Sequence, residues 1–148
     1  MQCQRILAPT DFSEYSTQAI QSARELAQTF GATLILLHVL APLPYPIEDL
    51  PPSALGVTLL EDLERQAASD LAQVLAGETE IKMVRRTAMG IPDRKIIEVA
   101  ETEKVDLIVM ATHGRTGFNH LFMGSVAERV VRTAPCPVLT IRPTGGAT

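Results

Sequence analysis

Short apolar runs alternate along the chain with longer segments whose apolar residues recur at helical spacing. The run TLILLHVL at 33–40 is apolar at almost every position, which is typical of a parallel strand buried on both faces. From Ser13 to Phe30 the apolar residues lie three or four positions apart, and Gly31 follows as a helix stop. The predicted strands are 5–8, 33–40, 81–88, 105–111 and 137–142, and the predicted helices are 13–30, 55–75, 92–103 and 126–133. This alternation predicts an α/β fold with a parallel sheet covered by helices on both faces.

The composition suits one domain with one core, because the chain has 148 residues and 46% of them are hydrophobic. We expect residues 1–143 to form this domain and residues 144–148 to form a flexible tail. The net charge of −4 does not indicate a nucleic acid partner. No apolar run approaches the roughly 18–20 residues that span a membrane, and the N-terminus does not have the pattern of a signal peptide. With two cysteines, the sequence favours a cytoplasmic, reduced protein.

The connection APLPYPIEDLPPSA at 41–54 holds five of the ten prolines, so it cannot form a regular helix or a central strand. It follows the second predicted strand, and ligands of open α/β sheets bind at the carboxyl ends of the strands. Two interpretations are open for this connection: a stiff surface crossover, or a partial lid with Tyr45 close to a ligand.

Glycines flank the loop between the fourth predicted strand and the helix that follows it. Gly114 lies where the chain leaves the strand, and Gly124 and Ser125 lie where the helix begins. A helix start offers unpaired N–H groups and the positive end of the helix dipole, and glycine lets a ligand approach the backbone. The loop is therefore a candidate anion site, although neither G-x-x-x-x-G-K-[ST] nor G-x-G-x-x-G occurs in the chain. The stretch SVAE at 125–128 also fits the capping box S-x-x-E, which explains Ser125 without a ligand.

Four segments together resemble the universal stress protein family: ILAPTDFSEYS, GATLILLHVL, DLIVMATHGRTG and GSVAERVVRTAPCPVLTIRP. The resemblance extends from Arg5 to Pro143 and is specific only in the combination of these segments. The nucleotide-binding branch of the family carries G-x-x-G-x9-G-[ST] after its fourth strand. Here Gly114, Gly124 and Ser125 match that motif, and Ala111 stands in place of its first glycine.

The resemblance implies a doubly wound sheet of order 3-2-1-4-5 with four helices, and an adenine nucleotide at the switch point between the first and fourth strands. It implies that Asp11, with Pro9 and Thr10 beside it, contacts the adenosine half, and that the Val39 backbone meets the adenine ring. The implied site residues are Pro9, Thr10, Asp11, Val39, Met110 and Ala111 for the nucleoside, and Gly114, Gly124, Ser125 and Val126 for the phosphates. Asp11 also has a simpler interpretation as a cap of the first helix.

The family implies a homodimeric stress-response regulator that binds ATP, with or without Mg²⁺, and that holds no tightly bound metal. Two alternatives stay open. The first is an enzyme, at most a slow ATPase, because phosphoryl transfer requires metal ligands and cationic groups, and the implied site offers one carboxylate and no lysine. The second is a family member that binds no nucleotide and acts through protein contacts, which Ala111 keeps open.

The fifth strand would be an edge of such a sheet, and its sequence is apolar apart from Thr140 and Arg142. Soluble proteins usually protect an exposed edge with charges, proline or a covering element. We therefore predict a homodimer in which two fifth strands pair through Val138, Leu139, Thr140 and Ile141. The alternative is a monomer whose C-terminal tail covers this edge.

The remaining reactive residues suggest no further chemistry. The three histidines, His38, His113 and His120, do not have the spacing of a metal site. Cys3 and Cys136 begin strands that are separated by a third, roughly 9–10 Å apart, which is too far for a disulfide. No base lies beside Cys136 in the sequence, so we expect a packed thiol rather than a nucleophile. Arg115 could touch a phosphate or be a solvated loop residue, and Arg85-Arg86 is interpreted as surface.

Overall fold

A computed structural model describes residues 2–42, 57–114 and 123–144. Within these residues strands and helices alternate: β1 (Arg5–Pro9), α1 (Glu14–Phe30), β2 (Thr33–Leu40), α2 (Val57–Gln73), β3 (Met83–Met89), α3 (Pro92–Thr102), β4 (Leu107–Ala111), α4 (Ser125–Thr133) and β5 (Val138–Ile141). All neighbouring strands pair in parallel, in the order β3-β2-β1-β4-β5. The predicted single-sheet α/β fold with strand order 3-2-1-4-5 and four helices is confirmed.

Apolar clusters cover both faces of the sheet, because successive residues of a strand point to opposite sides. One cluster joins α1 and α2 to the sheet through Ala23, Ala27 and Leu71, packed on Ile6, Ala8, Leu34, Leu36 and Val109. The other joins α3 and α4 through Ile96, Ala100, Ala127 and Val130, packed on Leu7, Ile35, Leu37, Ile108 and Met110. The middle of β2 is buried on both faces, which is why its sequence is a continuous apolar run.

Local signals set the bounds of α1. The Ser13 hydroxyl accepts a hydrogen bond from the Ser16 N–H and so caps the first turn. At the other end Gly31 has a φ of 66°, the left-handed conformation that glycine adopts without steric cost. The helix therefore begins at a serine whose side chain accepts a terminal N–H group. It ends at a glycine whose left-handed backbone lets its N–H reach the last carbonyls.

Other bounds differ slightly from the sequence prediction. β3 begins at Met83 rather than at Ile81, and β4 begins at Leu107 rather than at Val105. Ahead of β4, the Asp106 carboxylate accepts the backbone N–H groups of Gln4 and Arg5 at 2.8 and 2.9 Å, so its side chain binds the start of β1. The question of a crossover or a lid at 41–54, with Tyr45, lies outside the described residues.

No helix in the described part of the chain is both long enough and apolar enough to cross a membrane.

Candidate functional site

A pocket of about 640 Å³ lies at the carboxyl edge of the sheet, where β1, β2 and β4 end. β1 lies between β2 and β4. The connection after β1 leads to one side of the sheet and the connection after β4 leads to the other, so a crevice opens between these two strands. All ten residues singled out from the sequence line this pocket: Pro9, Thr10, Asp11, Val39, Met110, Ala111, Gly114, Gly124, Ser125 and Val126.

The lining residues of the pocket fall into two groups by chemical character, called here the apolar half and the polar half. The apolar half is formed by the sheet, α3 and α4, with Leu37, Val39, Met110, Pro92, Ile96, Val126 and Ala127. The polar half is formed by the β1–α1 turn and the two ends of the β4–α4 connection, with Thr10, Asp11, Thr112, His113, Gly114, Gly124 and Ser125. A ligand that fits both halves has a flat or apolar body and a polar or anionic end.

The wall from α3 was not predicted. Pro92 and Ile96 lie at the start of that helix and line the pocket. A signal was available, because in a parallel sheet every crossover helix begins near the carboxyl edge. Thr112 and His113 were missed as pocket-lining residues for a different reason: they occupy the unspecified positions between the first two glycine positions of the family motif.

Two side-chain hydrogen bonds shape the β1–α1 turn. The Thr10 hydroxyl accepts the Phe12 N–H at 3.0 Å, and the Asp11 carboxylate accepts the Ser13 N–H through Oδ1 at 2.9 Å. Between them Phe12 has a φ of 64°, a left-handed conformation that is rare for a bulky residue. The interpretation of Asp11 as the cap of α1 is wrong, because Ser13 occupies the cap position and Asp11 lies before it.

The β4–α4 connection is closed at its neck by the backbone. The Gly124 N–H donates to the Thr112 carbonyl at 2.6 Å, and the Thr112 N–H donates to the Ile141 carbonyl of β5 at 3.0 Å. Thr112 thus joins the edge strand to the start of α4. Residues 115–122 lie outside the described part of the chain, and the expectations for Arg115 and His120 lie there with them.

Among the described residues, no side chain caps the start of α4 at the pocket. Gly124 is the N-cap residue and Ser125 is the first residue of the helix, so the interpretation of Ser125 as the serine of a capping box is wrong. Glu128 instead pairs with Arg132 at 2.9 Å. α3 also begins without a side-chain cap. Because the first N–H groups of a helix have no partner within it, both helices direct positive backbone dipoles to this edge of the sheet.

Formal charge is sparse in this pocket. Among the described residues that line it, Asp11 is the only carboxylate, and neither lysine nor arginine contributes. His38 is half-buried, and its Nδ1 lies 2.8 Å from the Thr10 carbonyl oxygen. His113 is buried and bonds through Nδ1 with the Thr112 hydroxyl at 2.9 Å. Within the described residues, no group of three or more histidine, cysteine, aspartate or glutamate side chains could hold a metal ion.

Both cysteines are free thiols. Cys3 belongs to the cluster under α1 and α2, whereas Cys136 packs against the cluster under α3 and α4. They therefore lie against opposite faces of the sheet. Burial raises the pKa of both thiols, and the nearby Asp106 carboxylate raises each pKa further, so the thiolate form, the nucleophile, is disfavoured.

The pair Arg85-Arg86 does not lie on the surface as a unit, so that interpretation is wrong for Arg85. Its guanidinium is partly buried and donates to the carbonyls of Leu71 and Val74 at 3.0 and 2.7 Å, where α2 ends. Arg86 is exposed and pairs with Glu103. Adjacent residues of a strand point to opposite faces, which is why two arginines in sequence have different roles.

Fold and pocket together define a doubly wound α/β protein with its candidate site at the switch point of the sheet. The chain belongs to the universal stress protein family, whose family model matches residues 2–142. The sequence is 36% identical over 140 residues to the universal stress protein MJ0531 of Methanocaldococcus jannaschii, covering 93% of this chain and 81% of that protein. The resemblance seen in the sequence is thereby confirmed.

Solved structures show the same fold. The universal stress protein UspA from Lactobacillus plantarum superposes with a TM-score of 0.80 at 29% identity, covering 96% of this chain and 99% of that one. Two more distant neighbours were solved with nucleotides. One is a universal stress protein in complex with cAMP (TM-score 0.62, 24% identity, covering 95% of this chain and 98% of that one). The other is the universal stress protein from Archaeoglobus fulgidus in complex with dAMP (TM-score 0.61, 19% identity, covering 95% of this chain and 99% of that one).

Proposed function

We propose that this chain is an adenine-nucleotide-binding, homodimeric regulatory protein of the stress response, with ATP as its ligand, with or without Mg²⁺. The observation that carries the proposal is the pocket itself, which joins an apolar slot to the uncapped start of α4. The nucleotide complexes of two structural neighbours support it, since both contain an adenine nucleotide on the same fold. The cytoplasmic, reduced setting expected from the sequence is part of the proposal.

The base would lie in the apolar half, where β2 extends beyond β1. The Leu37 carbonyl accepts the Thr10 N–H at 2.8 Å, and β1 ends at Pro9, opposite Leu37. Backbone groups two residues apart in a strand point the same way, so the N–H and C=O of Val39 point to the side that β1 has left. An N–H beside a C=O complements adenine, which presents N1 as acceptor and its amino group as donor. Guanine presents the reverse pattern, so we expect ATP to bind more tightly than GTP.

The phosphates would lie at the start of α4, beside Ser125 and Val126. Gly124 is extended, with φ −63° and ψ 156°, and the first N–H groups of α4 follow it. Such groups bind anions because they lack partners within the helix and lie at the positive end of its dipole. With Asp11 as the only carboxylate among the described lining residues, and no lysine or arginine there, the pocket favours binding over phosphoryl transfer, which requires metal ligands and cationic groups.

The dimer would form through β5, an edge of the sheet. Leu139 and, on the neighbouring α4, Val131 are 40% and 45% exposed. The described C-terminal residues, which end at Thr144, do not cover this edge. Thr144 instead pairs with Gln18 of α1: its N–H donates to Oε1 at 3.0 Å, and its carbonyl accepts from Nε2 at 3.4 Å. An antiparallel pairing of two β5 strands would bury the exposed side chains and satisfy the outer backbone groups.

The test uses Ser125→Pro, which removes the N–H and the hydroxyl at the first position of α4. Proline is tolerated there, because that N–H makes no bond within the helix, and α3 already begins with Pro92. The extended Gly124 also suits a following proline. We expect calorimetry to show ATP affinity reduced by at least about tenfold, the loss of one hydrogen bond to a charged group.

Ser125→Ala is the matched control, because it removes the hydroxyl and keeps the N–H. It should weaken ATP less than Ser125→Pro does. Unfolding by denaturant should show both variants folded. Equal ATP affinity in a folded Ser125→Pro protein would exclude the start of α4 as the phosphate site. An unmodified protein that binds no nucleotide would favour the alternative of a family member acting through protein contacts.

A further inference from the structure

Arg129 lies on α4, one helical turn from the proposed phosphate position. The residues four and three positions before it are Ser125 and Val126, and both of these line the pocket. Along the helix axis, Arg129 is about 6 Å from Ser125, at about 1.5 Å per residue. Helical side chains lean towards the N-terminus and cover the preceding turn. The Arg129 side chain therefore has the length and the direction to approach the start of α4.

The opposite charge stands on α3, at the start of the helix that forms the facing wall of the pocket. Asp93 follows the pocket-lining Pro92, and its Oδ1 lies 3.7 Å from Nη1 of Arg129. This distance exceeds that of a hydrogen bond. The Arg129 side chain is 63% exposed, and such an ion pair contributes little to stability. Arg129 is thus held by charge between the starts of α3 and α4, called here the mouth of the pocket.

The two helix starts at the mouth differ in charge. α3 begins with Pro92, which has no N–H, and the Asp93 carboxylate follows in its first turn, so this start repels an anion. The carboxylate in the first turn of α4 is Glu128, and it pairs with Arg132 at 2.9 Å. An anion in the pocket is therefore drawn to α4 rather than to α3.

We propose that Arg129 exchanges Asp93 for the outer phosphates of a bound nucleotide, so that the pocket selects its ligand by the number of phosphates. The inference deepens the proposed function and rests on it. The phosphate nearest the sugar lies at the start of α4, and those beyond it extend to the mouth, where the exposed guanidinium lies. A guanidinium is always charged and binds phosphate oxygens through paired N–H groups. ATP reaches it, whereas AMP, with one phosphate, does not.

Calorimetry with ATP and with AMP at low ionic strength tests this role. Arg129→Gln should weaken ATP by about fivefold or more, the upper range for a partly exposed ion pair, and AMP by less than about twofold. Arg132→Gln is the matched control, because Arg132 has the same charge on the same helix, is 74% exposed and pairs with Glu128. It should leave the ratio of the two affinities unchanged. Denaturant unfolding should show both variants folded.

Asp93→Asn tests the exchange itself. It removes the group that competes with phosphate for Arg129, so it should strengthen ATP binding, and most of this gain should disappear in an Arg129→Gln background. An equal gain in both backgrounds would overturn the proposal.

The same titrations separate this inference from the proposed function. If the unmodified protein binds ATP, and Arg129→Gln weakens ATP and AMP by the same factor or not at all, the inference alone is overturned. If the unmodified protein binds neither nucleotide, the proposed function is overturned and the inference with it.

Discussion

At the scale of single residues, the most constrained position is Phe12, in the turn that carries Asp11. Its φ of 64° is unusual for a bulky side chain, and such a conformation costs about 1–3 kcal/mol unless its surroundings enforce it. Here they do: the Phe12 N–H bonds to Thr10, and its ring lies 4.3 Å from that of His38. These two contacts stabilise the conformation of the turn.

Gly124, a glycine of the family motif, is also constrained by its neighbours within the protein. A Cβ atom there would lie 3.1 Å from the Thr112 carbonyl oxygen and 3.7 Å from His113 Cα. Both are backbone atoms at the neck of the loop, so a Cβ atom at Gly124 would require them to shift by a few tenths of an ångström. Glycine therefore suits the closed neck as well as any approach of a phosphate.

Glu78 should make stability depend on pH. Its side chain is 7% exposed and pairs with Arg24. The Arg24 hydrogen bond, and next the Glu80 N–H, hold the pKa of Glu78 below its ordinary value of 4.5. A carboxyl group with a lowered folded pKa stabilises the fold above its unfolded pKa, and the contribution is lost as pH falls through the folded value. The advantage of the parent over Glu78→Gln should therefore be present at pH 6–7 and shrink below about pH 4.5.

Denaturant unfolding from about pH 3 to 7 measures this difference. Glu80→Gln is the control, because Glu80 is 59% exposed in its pairing with Arg24 and exposed ion pairs contribute little. A Glu78→Gln protein that keeps the same deficit at every pH would show that the carboxylate charge is not the cause.

At the scale of elements, the helices differ in how their ends are satisfied. α1 is capped by Ser13 and stopped by Gly31, whereas α3 and α4 begin uncapped beside the pocket. At the end of α2, the carbonyls of Leu71 and Val74 accept hydrogen bonds from Arg85 of β3. A cation at this end also opposes the negative pole of the helix dipole.

Arg85→Met should lower the free energy of unfolding by about 1–3 kcal/mol, because two hydrogen bonds from a charged donor are lost and the carbonyls of Leu71 and Val74 stay partly buried. Arg86→Met is the matched control. Arg86 is 49% exposed beside Glu103, so its loss should cost about 0–1 kcal/mol. Chemical denaturation of both variants provides the comparison, and equal losses would contradict the capping role of Arg85.

At the scale of the whole molecule, the proposed dimer depends on which backbone groups of β5 face outward. The carbonyls of Pro137 and Ile141 accept N–H groups from β4 and its extension, at 3.0 Å in both cases. Val138 and Thr140, at the alternate positions, therefore direct their backbone groups away from β4. A partner strand would bond to these two residues.

Thr140→Pro should convert the dimer to a monomer without disturbing the fold, because it removes an outward N–H and leaves the ladder to β4 intact. Light scattering at high micromolar concentration measures the mass. Thr140→Val retains the N–H and should stay dimeric, and circular dichroism should be unchanged in both variants. A monomeric parent protein, or a Thr140→Pro dimer, would refute pairing through β5.

The sequence by itself determined the order and type of the elements and the edge of the sheet where the candidate site lies. The continuous apolar run of β2 indicated a strand covered on both faces, and Gly124 with Ser125 marked the start of α4 to within one residue. These features are local: a burial pattern follows from side-chain periodicity, and a helix start follows from backbone groups that need partners.

Only the tertiary structure decided which groups face one another in the pocket. The family resemblance implied Asp11 as a contact of the adenosine half and Gly114 as a phosphate contact, and the fold shows in addition that the Asp11 carboxylate lies in the space beside Gly114. It also brings Pro92 and Ile96 of α3 against residues of β2 and β4. Such contacts join residues far apart in the chain, and the space beside a glycine depends on what the other segments place there, which no local pattern records.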